Sequence, residues 1–97
     1  MHSEVTVEIY PWLSNALGVR HKKILIEQIS RQETLRSLLA RLALKHDGIG
    51  AMIYDIIREQ LHEGIVIFVN NQVIPHDLLL PLKHGDHIAV TPFYTGG

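Results

Sequence analysis

Cysteine is absent from this 97-residue chain, which excludes disulfides, thiolate metal sites and a thiol nucleophile. No apolar run approaches the roughly 20 residues that a membrane span requires. Neither charge is in surplus: nine Lys and Arg against ten Asp and Glu leave a net charge of −1, and a dedicated nucleic-acid binder ordinarily carries a basic excess. A phosphate-cradling loop is missing as well. Gly48-Ile49-Gly50 lacks the following Lys and Ser/Thr, and it follows a helical pattern rather than a strand. No serine sits in a nucleophile elbow, so nothing in the pattern supports a Ser/His/Asp triad. Repeats and low-complexity tracts are absent. The opening Met1-His2-Ser3-Glu4 has no basic region leading into an apolar stretch, which sets the expectation of no secretory leader and a cytoplasmic location.

What is present suffices for one core. Hydrophobic residues make up 46% and charged residues 20% of the chain, close to the globular average and far from a disordered composition. A domain of this length buries roughly 60–70% of the surface its unfolded form exposes. Seven histidines allow the net charge to turn positive in mild acid.

Hydrophobic periodicity then divides the chain. Val5, Val7 and Ile9 alternate with Glu4, Thr6, Glu8 and Tyr10, the pattern of a strand with one wet face. Pro11 limits it, and Asn15 to Gly18 supply a turn. A second strand over 23–29 completes a hairpin. Ser30 with Glu33 fits a capping box, and Leu35, Leu38, Leu39 and Leu42 predict an amphipathic helix to about His46, stopped by a left-handed Gly48. A weaker helical pattern runs over 51–62, with Ile53, Ile56, Ile57 and Leu61 on one face and Gly64 at its end.

A third strand over 65–70 is apolar at every position through Val69, so that either both faces are covered or one is sticky. Asn70-Asn71 makes a tight turn into a short return strand over 72–74, stopped by Pro75. An ordered loop anchored by leucines spans 75–83. After the turn at Gly85-Asp86, a last strand over 87–91 points Ile88 and Val90 inward. This order predicts an α+β fold, one sheet with a helix on a single face. The first and last strands can pair in parallel at its centre, because a helical crossover separates them.

His76 with Asp77, and His84 and His87 around Gly85-Asp86, supply ligand types that zinc or nickel accept. They lack the i, i+4 or alternating spacing on rigid elements that metal pairs favour, and read instead as turn and edge residues facing water. His21 and His46 read likewise, and Lys22-Lys23 reads as a solvated strand edge. No metal site is expected.

The final residues are Thr91-Pro92-Phe93-Tyr94-Thr95-Gly96-Gly97. Two aromatics stand beyond the last predicted strand, where no core awaits them. A diglycine suits a carboxylate that must enter another protein's narrow site, since glycine permits close backbone approach. Extended, the segment from Pro92 to Gly97 reaches roughly 17–20 Å.

Taken together, the chain resembles the ubiquitin-like sulfur-carrier family MoaD/ThiS over nearly its whole length. The resemblance is carried by Phe68-Val69-Asn70, by Leu82-Lys83-His84-Gly85-Asp86-His87-Ile88-Ala89-Val90, and by Pro92 with Thr95-Gly96-Gly97. Leu-Lys-x-Gly-Asp-x-Ile/Val is a hallmark of that family. The Pro-x-x-Thr-Gly-Gly ending is more similar to the molybdopterin synthase small subunit than to the thiamine carrier. Phe93-Tyr94 stands where Pro-Val is more usual, and the segment 49–61 is longer than in the compact bacterial carriers.

The resemblance implies a ubiquitin-like β-grasp over 1–92, a mixed sheet with a helix on one face and an additional short helix, followed by a flexible diglycine tail over 93–97. It implies that an E1-type activating enzyme, using ATP, adenylates the Gly97 carboxylate with Gly96 permitting entry. The product is converted to a thiocarboxylate that donates sulfur to a partner such as the large subunit of molybdopterin synthase. Thiamine synthesis, tRNA thiolation and conjugation to protein lysines are the family's other outlets. Phe68, Pro92, Phe93, Tyr94 and Thr95 are the expected partner-binding residues. No cofactor on this chain, no nucleic acid and no membrane partner are expected. A β-grasp interaction module without tail chemistry is the rival, and an enzyme acting alone a distant third.

Overall fold

A computed structural model describes residues 3–74 and 78–93. Strand β1 (Ser3–Ile9) leads through a 3₁₀ turn (Ser14–Leu17) to β2 (Lys23–Ile29). Helices α1 (Leu35–Lys45) and α2 (Asp47–Met52) follow, then a small hairpin of β3 (Tyr54–Asp55) and β4 (Gln60–Leu61). Strands β5 (Ile65–Val69), β6 (Gln72–Val73) and β7 (His87–Pro92) complete the order. Among the described residues one sheet runs β2-β1-β7-β5-β6, with β3 and β4 apart from it. β1 lies antiparallel to β2 and parallel to β7, and β5 is antiparallel to β7. This is the β-grasp expected from the sequence, with the first and last strands adjacent inside the sheet.

The alternation does what a period of two requires. Val5, Val7 and Ile9 from β1, Ile65, Ile67 and Val69 from β5, and Ile88 and Val90 from β7 are buried on one face. Leu35, Leu38, Leu39 and Leu42 of α1 close over that face, each at most 1% exposed. Fully burying such a side chain contributes roughly 1.5–3 kcal/mol. All nine residues from β1, α1 and β7 assigned to the core by periodicity belong to one cluster.

Both boundaries of α1 differ from expectation. Thr34, not Ser30, caps α1: its hydroxyl accepts from the Ser37 amide at 3.2 Å. Glu33 does reach back to the Ser30 amide at 3.0 Å, but that closes a turn ahead of the helix. Gly48 does not stop α1. The helix ends at His46, which is extended (φ −128°, ψ 110°), and Gly48 lies inside α2.

The helix expected over 51–62 does not form. The Asp55 carboxylate accepts from the amides of Ile57 and Arg58 at 3.0 and 3.1 Å, and Glu59 adopts φ +56°. An Asp side chain that bonds its own downstream amides competes with helix and favours a turn. The apolar residues consequently split: Ile53 and Tyr54 are buried, whereas Ile57 is 93% exposed at the hairpin tip.

The leucine-rich loop has a specific task. The carbonyls of Leu78 and Leu80 accept from the Arg36 and Leu35 amides at 2.8 and 2.9 Å, satisfying donors that a helix N-terminus leaves orphaned. Leu78 and Leu82 are buried beneath it.

Candidate functional site

The site is the end of the sheet from which the chain leaves β7, and the Gly85-Asp86 turn sets its register. Gly85 takes φ +87°, a conformation that L side chains rarely adopt, and its amide donates to the Glu4 carbonyl at 2.8 Å. Asp86 accepts from the Lys83 amide and from the Asn70 side-chain amide, both at 2.8 Å. Asn70 accepts from the His87 amide at 2.9 Å and donates its own amide to the His87 carbonyl at 2.8 Å. The polar residues of Leu82–Val90 therefore lock the start of β7 between β1 and the β5–β6 turn. Both residues of that turn, Asn70 and Asn71, have positive φ, as a two-residue hairpin demands.

Six residues later the strand emerges. Pro92 stands opposite Ile65, and the Phe93 amide donates to the Gly64 carbonyl at 2.7 Å. Phe93 is 60% exposed. Tyr94, Thr95, Gly96 and Gly97 lie outside the described residues, and so do His76 and Asp77.

Two recesses flank this exit, and Pro92 lines both. On the helix side a recess of about 520 Å³ is bounded by Trp12, Leu13, Met52, His62, Gly64 and Phe93. On the open face of the sheet, one of about 460 Å³ is lined by Tyr10, Phe68, Asn71, Ala89, Thr91 and Pro92. Phe68 and Val66 point to this open face, half-buried, because Ile65, Ile67 and Val69 take the helix side. α2 packs instead on α1, the 3₁₀ turn and β3. The structure thus sets Phe68 beside Pro92 in the open-face recess and Phe93 beside Pro92 in the helix-side one.

Sequence reasoning missed Tyr10, Trp12 and an ionic network. Tyr10 is visible in the β1 alternation as the residue after Ile9. Trp12 has no such signal: it stands at the recess lip, 55% exposed, with φ +81°, a costly conformation for a bulky residue.

The network lies on the open face. Glu8 pairs with Lys22 at 2.8 Å and with His87 Nε2 at 2.7 Å. The Lys22 hydrogen bond, then that of His87, holds the Glu8 carboxyl below its ordinary value of 4.5. Glu8 in turn raises the Lys22 ammonium. A carboxylate with a depressed folded-state pKa contributes stability that is present above its unfolded value and lost as pH falls through the folded one. Glu8→Gln is therefore expected to lower the thermal midpoint at neutral pH. The gap from wild type should close progressively once the pH drops below 4.5. Thermal melts across that range decide it, and a gap independent of pH would show that Glu8 acts through shape alone.

Three other described histidines tie backbone. His62 Nε2 donates to the Gly50 carbonyl at 2.7 Å, His21 Nδ1 to the Lys22 carbonyl at 2.9 Å, and His84 Nδ1 accepts from the Glu4 amide at 3.0 Å. Among the described residues no three acidic or imidazole side chains gather as a metal cluster. No described helix is long and apolar enough to cross a membrane.

The model of the ThiS family matches residues 13–97. The chain belongs to the ThiS family. Its fold is that of solved ubiquitin-like proteins. SAMP1 from Haloferax volcanii superposes with a TM-score of 0.75 at 19% identity, covering 97% of this chain and 99% of that one. A molybdopterin converting factor subunit 1, so described provisionally, from Pyrococcus furiosus gives 0.68 at 20% identity, with 95% and 99% covered. The BexX/CysO complex from Amycolatopsis orientalis gives 0.66 at 25% identity, with 96% and 99% covered. No curated protein sequence matches the chain significantly.

Proposed function

We propose that this ThiS-family chain is a sulfur carrier for molybdopterin synthesis that works through the Gly97 carboxylate. In the first step a carboxylate oxygen attacks the α-phosphorus of ATP on an E1-type enzyme, and pyrophosphate leaves. Sulfide delivered by a donor then attacks the acyl carbon and displaces AMP, which leaves the thiocarboxylate. The large subunit of a molybdopterin synthase consumes it.

The observation that carries this reading is the anchored root. β7 is laddered to β1 as far as Val90 and to β5 as far as Pro92, and Phe93 is tied to Gly64, so Tyr94-Thr95-Gly96-Gly97 follows a fixed point. Four extended residues reach roughly 13–14 Å beyond it. The ThiS-family match running through Gly97 supports the tail chemistry. The spacing of Pro92 from Thr95-Gly96-Gly97 and the likeness to the Pyrococcus furiosus structure support the molybdopterin branch.

Incubation with an E1-type enzyme, ATP and a sulfur source, followed by intact-mass analysis, tests the reading. The expected product differs from the starting chain by one oxygen-to-sulfur exchange. An unchanged mass would refute the carrier. A thiocarboxylate that the molybdopterin synthase large subunit fails to discharge would move the chain to another outlet, and isopeptide-linked products would make it a modifier.

Docking is assigned to the open face beside the root. An apolar patch next to a reactive end suits a partner that must hold the carrier while consuming its tail. Phe68→Ser is expected to weaken large-subunit binding about 10-fold or more in calorimetry, with the circular dichroism unchanged. Unaltered affinity would place docking elsewhere.

A further inference from the structure

The hydrogen-bond parity of the sheet exposes a short open window at one edge. The Thr6 amide donates to the Asp86 carbonyl at 3.0 Å and the Tyr10 amide to the Val90 carbonyl at 3.1 Å, so the even residues of β1 turn their backbone groups toward β7. Val5, Val7 and Ile9 therefore bond to β2, through their partners Glu27, Leu25 and Lys23. It follows that Ile24, Ile26 and Gln28 of β2, and Lys22 just before it, aim their N–H and C=O groups away from the sheet.

The two ends of this row are already closed by the chain's own side chains. The Lys22 carbonyl accepts from His21 Nδ1 at 2.9 Å, and the Gln28 carbonyl accepts from Arg41 Nη2 at 2.8 Å. Between them, Ile24 and Ile26 keep amides and carbonyls without a partner among the described residues. Their side chains are also bare, 51% and 59% exposed. On the helix side, Leu44 lies one turn beyond Arg41 and is 76% exposed. The opposite edge, β6, is only two residues long. Proteins usually blunt an apolar edge with charges, proline or a bulge. Here the centre of β2 has none of these.

We infer that β2 pairs antiparallel with β2 of a second copy of this chain, about a twofold axis through Leu25. Antiparallel pairing joins residues whose backbone groups both point outward, so only registers that match even positions of β2 with even positions are allowed. The register centred on Leu25 sets Ile24 opposite Ile26 of the second copy and Ile26 opposite its Ile24. Every bond of those two pairs uses an open group. It also sets Lys23 opposite Glu27, but the buried Glu27 carboxylate is already held by Arg41 and Lys45 of its own chain, so the open backbone groups, and not charge, select this register.

The neighbouring registers are poorer. Centring on Ile26 sets Ile24 opposite Gln28, whose carbonyl Arg41 already occupies. Centring on Ile24 sets Lys22, held by Glu8, opposite Ile26. A twofold contact of this kind is self-complementary and closes at two copies.

The dimer leaves the candidate site open. β2 begins at Lys23, opposite Ile9, the same end of the sheet at which β7 emerges. The axis through Leu25 therefore sends the two roots to opposite ends of one continuous sheet. The pairing stands independently of the sulfur-carrier reading.

Sedimentation equilibrium on the full chain from micromolar to millimolar concentration tests it, and a monomer–dimer equilibrium is expected. Ile26→Pro removes only the outward N–H, since the Ile26 amide takes no part in the β1 ladder, and edge strands tolerate proline there. That variant is expected to stay monomeric with unchanged circular dichroism.

A second measurement covers the case in which proline disturbs the fold. The chain has no cysteine, so Leu25→Cys is expected to form a disulfide dimer under mild oxidation. Residues facing each other across such an axis lie within bridging distance. Ile26→Cys should crosslink far more slowly. A wild type that is monomeric at millimolar concentration, an Ile26→Pro chain that dimerises as tightly as wild type, or faster crosslinking at Ile26 than at Leu25 would each overturn the proposal.

Discussion

Leu39→Ala is expected to lower the free energy of unfolding by about 2–5 kcal/mol, against a total of about 5–15 kcal/mol for a domain of this kind. Leu39 is 1% exposed at the centre of the α1 stripe, in the same cluster as Val5, Val7 and Ile88. Truncation removes most of a buried side chain and leaves a void that a close-packed interior fills only in part. Leu44 supplies the control. It lies on the same helix but is 76% exposed, so Leu44→Ala should change stability by no more than about 0.5 kcal/mol in the monomer. Urea denaturation at low protein concentration measures both. An unchanged midpoint for Leu39→Ala would mean that the helix face is assigned wrongly.

The contrast between those leucines shows what periodicity makes legible. Leu35, Leu38, Leu39 and Leu42 are spaced so that only one helix face can collect them, and Leu44 falls off that face. The strands were equally readable. A buried sheet face needs every second residue apolar, which Val5-x-Val7-x-Ile9 and Ile88-x-Val90 satisfy. In β5 all five residues are apolar, so the alternation is silent there, and the partners of the strand decide which set faces inward.

The segment after α1 departs from its hydrophobic pattern for a different reason. Ile53, Ile56, Ile57 and Leu61 fit a helical stripe, but the pattern carries no information about Asp55 turning its carboxylate onto the Ile57 and Arg58 amides. Local side-chain chemistry overrode a weak period. The cap at Thr34 was hidden in the same way. Ser30-x-x-Glu33 and Thr34-x-x-Ser37 both offer capping geometry, and which one begins the helix depends on the carbonyls of Leu78 and Leu80 arriving from a distant loop.

The candidate site was legible in part. Phe68, Pro92 and Phe93 follow from an apolar strand and a terminal motif. Glu8, Lys22 and His87 meet only once β1, β2 and β7 are laid side by side, with Glu8 and His87 far apart in the chain. Trp12 reaches the recess through a backbone conformation that side-chain pattern does not encode.

Removing Gly97, or appending one residue to it, is expected to abolish adenylation while leaving the thermal midpoint nearly unchanged. The two consequences have separate physical origins. The core residues lie upstream, and the last ladder bond of the described chain is the one from Phe93 to Gly64. Neither variant disturbs a described contact. The proposed reaction, in contrast, requires a free carboxylate delivered at a fixed reach from that bond. One residue fewer shortens the reach by roughly 3.3–3.6 Å, and misplacement by about 1 Å can already cost roughly 10²-fold in rate. One residue more converts the Gly97 carboxylate into an amide and moves the free end past the reacting phosphate. Gly96 is constrained differently: a bulky side chain at that position should slow adenylation by clashing with the channel walls, without altering the reach. Pyrophosphate exchange with the cognate activating enzyme reads all three variants. Wild-type exchange by the extended chain would remove the Gly97 carboxylate from the reaction and leave the open face around Phe68 as the chain's means of action, a β-grasp module that binds without tail chemistry.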